Sequence, residues 1–166
     1  MIDIITKPKM RVLQSVFFVV VIISSSLARP KIKEHETRDE YLDINGEQYY
    51  VVASVSLTPS DAATRCDELN MDLMDLQTPE KEQAVYNALV SHGYTRLFYW
   101  TSGQRLENQG WIWTNTGNPF TYFHWTINEP GPGLDFVYFD SFRYSWNGGY
   151  ENSTFNFVCQ ERAAVF

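Results

Sequence analysis

Phe98-Tyr99-Trp100-Thr101-Ser102-Gly103, followed after a polar stretch by Trp111-Ile112-Trp113, is the part of this sequence whose reading decides the fold. Two short aromatic runs, broken by Gly and Asn, read as strands joined by a turn and not as a helix. The same pattern continues downstream. Strands are predicted over Leu97 to Thr101, Trp111 to Thr114, Phe136 to Phe139 and Phe155 to Cys159, with long Gly-, Asn- and Pro-containing loops between them.

Upstream of Leu97 the pattern differs. Tyr41 to Ile44 and Gln48 to Val52 flank Asn45-Gly46, the dipeptide best suited to a tight hairpin turn. Thr58, Pro59 and Asp61 form a helix start, and Ala62, Cys66 and Leu69 follow on one face. Thr78-Pro79-Glu80 opens a second helix with Val85, Ala88 and Leu89 on its buried stripe and a stop near His92-Gly93. A hairpin, two helices and then strands around a Gly/Pro-rich insertion describe an α+β domain, not an alternating α/β one.

The first residues read as an export signal. Lys7, Lys9 and Arg11 precede an apolar run ending at Ile23, and Ser26 and Ala28 place small residues at both key cleavage positions. The strictly apolar part, Val16 to Ile23, is eight residues long, whereas a membrane-spanning helix needs about 20. Residues 1–28 are therefore assigned to a signal peptide, 29–40 to a charged lead-in and 41–166 to the folded domain, with secretion to the extracellular space as the expected fate. Either Met1 or Met10 serves as a start, since Met10 to Ala28 is a complete signal by itself.

Removing residues 1–28 takes three basic residues and one acidic residue from totals of 13 and 20, leaving 10 and 19 and a net charge of −9. Affinity for nucleic acid or anionic membrane rests on Lys and Arg, so neither is an expected partner. The chain holds two cysteines, Cys66 and Cys159. In an oxidising compartment they are expected to pair, the alternative being two buried free thiols. Asn152-Ser153-Thr154 is a sequon with an acceptable middle residue, which marks Asn152 for glycosylation.

Six features occurring in order give this sequence a resemblance to the C-type lectin-like family over about Tyr41 to Phe166. They are Cys66 with Leu73, Phe98 to Gly103, Trp111-Ile112-Trp113, Trp125 ahead of Glu129-Pro130, Trp146-Asn147, and Val158-Cys159. The Tyr-Trp-Thr-Ser-Gly variant looks like arthropod members in particular. The resemblance implies a C-type lectin-like fold with an N-terminal hairpin, two helices, small antiparallel sheets and a long loop region. It implies a secreted recognition module without catalytic residues, binding a glycan or glycoprotein. The alternative is a calcium-independent domain with a protein ligand. A glycoside hydrolase using Glu129 and Asp135 as a carboxylate pair is the remote third reading. All five Trp residues are read first as core, because large rings in small domains mainly supply buried area. Tyr144 and Tyr150 are the named stacking platforms for a sugar.

In sugar-binding members of the family, one Ca2+ ion is held by a Glu-Pro-Asn or Gln-Pro-Asp loop, a later Glu and a Trp-Asn-Asp strand. Calcium takes six to eight hard oxygens, so each lost donor weakens the sugar site too. Glu129 and Pro130 match the loop, but Gly131 stands at the third position and Leu134 where the later Glu belongs. Asp135 is its neighbouring substitute. Asn147 matches on the strand, while Gly148 replaces the Asp. Glu129, Asn147 and Asp135 are therefore the expected ligand-binding residues, with Glu129 and Asn147 the metal donors of a depleted site. Arg105 and Gln109 replace the acids of a second calcium site, and Phe136 and Glu151 stand where the family's inner cystine belongs.

Overall fold

A computed structural model describes residues 38–163, so the expected signal peptide, its expected cleavage position and most of the expected lead-in lie outside the described residues. The described residues open with the expected hairpin, β1 (Glu40–Ile44) and β2 (Glu47–Leu57), turning through Asn45 and Gly46 at φ 58° and 88°. Asn and Gly tolerate this left-handed backbone, which is why the dipeptide fixes the turn. The end of the lead-in is tied down as well. The Asp39 carboxylate accepts the Ala53 and Ser54 amides at 3.0 Å, and the Tyr94 hydroxyl donates to the Arg38 carbonyl at 3.0 Å.

Two helices follow. In α1 (Pro59–Glu68) the Thr58 hydroxyl accepts the Asp61 amide and donates to the Asp61 carboxylate, a cap worth about 1 kcal/mol. Thr78 caps α2 (Pro79–Ser91) through the Lys81 amide, and the chain leaves that helix at Gly93 with φ 85°. Between the helices runs a short strand that the sequence did not signal, β3 (Met71–Leu73). After α2 come β4 (Phe98–Leu106), β5 (Gly110–Trp113), β6 (Asn118–Pro119), β7 (Phe136–Asp140), β8 (Ser145–Gly149) and β9 (Phe155–Glu161).

The expected antiparallel pairs are present, and one parallel pairing links them. The N- and C-terminal strands pair, β2 with β9, and β9 runs parallel to β4 through Tyr99↔Asn156 and Trp100↔Phe157, so the strands join into one sheet. β4 in turn pairs with β5 and β7, and β7 with β8.

Alternation along the central strands divides the core in two. Trp100, Phe157 and Cys159 point to one side with Ala62, Cys66 and Leu73, where α1 packs. Tyr99 and Val158 point to the other with Val85, Leu89, Trp113, Phe139 and Trp146, where α2 packs. The Cys66–Cys159 disulfide bolts α1 to β9, closing a loop of 93 residues. In the chain-entropy account such a crosslink contributes up to about 4.7 kcal/mol. Trp100, Trp113 and Trp146 are core as expected, and Trp111 and Trp125 pack half-buried against it.

Buried carboxylates are the feature that the sequence concealed. Asp75 accepts from Lys81 Nζ at 3.0 Å, Gln160 Nε2 at 2.9 Å and Asn115 Nδ2 at 2.7 Å. Burial alone would raise its pKa, but these partners outweigh it and hold the carboxyl below the usual range.

Candidate functional site

The long segment between β6 and β7, residues 120–135, carries the motif residues and is fastened to β8. The Trp146 amide donates to the His124 carbonyl at 2.7 Å and the Thr126 amide to the Trp146 carbonyl at 2.8 Å. The Thr126 and Ser145 hydroxyls lie 2.7 Å apart. A turn closed by the Glu129 amide and Thr126 carbonyl, with Asn128 at φ 68°, then brings Glu129 beside β8, and the Glu129–Pro130 peptide is cis.

At that point Glu129 lies beside the strand that carries Asn147, and its carboxylate is taken by backbone amides. One Glu129 carboxylate oxygen accepts the Gly148 amide at 3.0 Å and the Gly131 amide at 3.4 Å. Leu134 folds over the same place. A Cβ at position 148 would lie 2.5 Å from Leu134 Cβ and 3.1 Å from Pro130 Cβ, and one at position 131 would lie 3.2 Å from Leu134 Cδ1. The two glycines and the leucine, read from the sequence as three separate losses, are one packing arrangement. The leucine takes the space that side chains at 131 and 148 would need.

Asp135 is also engaged. Arg105 Nε donates to its carboxylate at 2.7 Å and Nη2 approaches it at 2.5 Å, while the Arg105 guanidinium lies 5.9 Å from the Trp111 ring centroid. The sequence placed Arg105 at a second calcium site; in the fold it neutralises the substitute carboxylate of the first. Asn147 is 8% exposed, and its Nδ2 is buried without a hydrogen-bond partner. Among the described residues no three His, Cys, Asp or Glu side chains converge as metal ligands. With Leu134 packed over Gly148, Glu129 on backbone amides and Asp135 on Arg105, the residues around Glu129 do not fit the oxygen shell that Ca2+ requires.

Beside the plugged site a groove of about 670 Å³ opens between the loop, the start of α1 and the turn before β9. Its lining includes Thr58, Ser60, Asp135, Tyr150, Glu151 and Asn152. Of the two expected stacking platforms, Tyr150 is 56% exposed and lies on the groove. Tyr144 packs inward on Tyr86 at 4.4 Å and His124 at 4.9 Å. Phe136, one of the two cystine replacements, meets Trp100 edge to face at 6.4 Å, and Glu151, the other, lies exposed on the groove.

The start of the loop is held by a group that sequence reasoning passed over. Glu82 is fully buried on α2 and accepts from the Tyr122 hydroxyl at 2.7 Å and from Trp146 Nε1 at 2.9 Å, with His124 Nδ1 at 3.0 Å. Burial first, then this bond to Glu82, raises the Tyr122 phenol well above its ordinary pKa. The available signal was spacing, since Glu82 lies on the same helical stripe as Val85 and Leu89.

A two-helix α+β domain with its ends paired, a cystine from α1 to the last strand and a long loop fastened beside a Trp-Asn strand has the C-type lectin-like fold. Solved structures share it, among them two carbohydrate-recognition domains. The mouse scavenger receptor C-type lectin carbohydrate-recognition domain matches with a TM-score of 0.63 at 24% identity, over 76% of this chain and 97% of that one. The human scavenger receptor C-type lectin carbohydrate-recognition domain matches with a TM-score of 0.63 at 22% identity, over 74% and 96%. At these identities the likeness is one of fold. No protein-family model matches the chain.

Proposed function

We propose that this protein is a secreted, non-catalytic recognition module that binds glycan on its loop face without a tightly held calcium ion. The observation that carries the reading is Leu134 seated over Gly148, with the Glu129 carboxylate already on the Gly148 amide. The metal and the sugar share ligands in the calcium-dependent mode, so a plugged shell leaves the neighbouring groove as the recognition surface. Its hydroxyls, its carboxylates and the flat face of Tyr150 suit a polyhydroxylated ligand. Glu129 and Asp135 are each engaged by donors, which argues against their acting as a hydrolytic pair. A C-type lectin-like fold, a disulfide and the signal-like pattern of residues 1–28 together support an extracellular location.

In this reading Asn152 carries an N-linked glycan at the rim of the groove, on an exposed turn. A glycan array probed with and without EDTA tests the whole. Binding that survives chelation and is lost in Tyr150→Ala is the expected result, and binding abolished by EDTA would overturn it. A protein ligand finds support elsewhere on the loop, where Ile127 and Phe123 are exposed. An array without any hit, together with a protein partner lost in Ile127→Ser, would favour that alternative.

A further inference from the structure

The opposite end of β4, β7 and β8 carries a second concave site, about 240 Å³ in volume, lined by Arg96, Phe98, Asp140, Phe142 and Arg143. Strand register separates it from the loop groove: Phe98 pairs with Asp140 here, while Gln104 pairs with Phe136 at the loop end. Six residues of extended chain put about 20 Å between them.

The cleft is a built structure. Asp140 is buried, and its Oδ1 accepts the Phe142 and Arg143 amides at 2.9 and 3.0 Å while its Oδ2 accepts Arg143 Nη1 at 2.9 Å. Ser141 and Leu97 exchange three hydrogen bonds of 2.9 to 3.1 Å, clamping this turn to the residue that follows Arg96. Arg96 itself has φ 65°, a left-handed conformation that costs a side-chain-bearing residue about 1 kcal/mol or more. That backbone sets its guanidinium 5.3 Å from the centroid of the Phe142 ring, which is 61% exposed. Among the described residues no carboxylate forms an ion pair with Arg96. The lining thus counts two guanidiniums against one carboxylate, Asp140, which is already paired with Arg143, on a chain with a net charge of −7.

We propose that this cleft binds an acidic saccharide unit, its carboxylate on Arg96 and Arg143 and its C–H face against Phe142. A guanidinium presents a planar fork matched to a carboxylate. The volume lies below the range typical of drug-sized ligands and suits one sugar ring. The site is independent of the loop groove, so either stands if the other fails.

The test titrates the secreted full chain with methyl β-glucuronide, with the neutral methyl β-glucoside, and with a short apolar peptide ending in a free carboxylate, followed by NMR. Arg96→Gly is the chosen variant because glycine adopts the left-handed backbone freely, so the charge is removed without unfolding. The expected result is binding of the glucuronide that weakens about tenfold or more in Arg96→Gly, falls in Phe142→Ala and is unchanged in Tyr150→Ala. The proposal is overturned if the glucoside binds equally well, if Arg96→Gly keeps full affinity, if the peptide binds where the glucuronide does not, or if the glucuronide fails to bind at millimolar concentration.

Discussion

The long loop is held at both ends by a glutamate, and the two ends are built differently. At its start, Glu82 is fully buried and receives Tyr122, His124 and Trp146, side chains from the loop and from β8. Near its far end, half-buried Glu129 receives only backbone amides, under a leucine. A buried carboxylate satisfied by side-chain donors ties the loop to the core, and losing it leaves several polar groups dry. A loop carboxylate on backbone amides shapes the site without supporting the domain. The loop face therefore has one end set by folding and one end open to change.

The largest expected effect breaks the first end. Glu82→Ala removes the shared acceptor of Tyr122, His124 and Trp146 and should destabilise the protein by about 3 kcal/mol or more in urea denaturation. Glu82→Gln keeps an oxygen acceptor and should lose less. A loss below about 1 kcal/mol in Glu82→Ala would make the two ends energetically alike.

Much of the frame was legible in the sequence because it was local. Asn45-Gly46 announced the hairpin, Thr58 and Thr78 announced the helices, and two cysteines together with the expectation of export announced the disulfide. Glu82 was not legible, since a carboxylate on a helix is ordinarily solvated and its three donors come from 40 to 64 residues away. At the site the sequence named the missing oxygens at 131, 134 and 148, but their common cause is steric and appears only when the loop is folded onto β8. Tyr144 misled for a similar reason: its ring turns inward onto Tyr86, a contact between distant segments.

A middle-sized effect sharpens the second end. Gly148→Asp places a Cβ 2.5 Å from that of Leu134, so one of them must move, at a cost of about 1–3 kcal/mol. The same change in a Leu134→Ala background should cost clearly less, giving a favourable coupling in a double-mutant cycle. Additive losses would mean that the leucine does not fill the space of the absent aspartate.

The smallest expected effect is the most informative about function. Glu129→Ala removes the acceptor of two backbone amides at 3.0 and 3.4 Å on a half-buried loop, a loss of about 1 kcal/mol. In a calcium-dependent lectin the same substitution would remove a metal donor, so calorimetric titration separates a shaping role from a coordinating one. With Leu134 over Gly148 and Asp135 on Arg105, wild type should take up calcium no more tightly than the weakest extracellular modules, about 10⁻³ M. Glu129→Ala and Asn147→Ala should then leave the titration unchanged. Micromolar calcium binding abolished by either variant would mean that Leu134 yields its place to the ion, and that the second end of the loop is a working metal site after all.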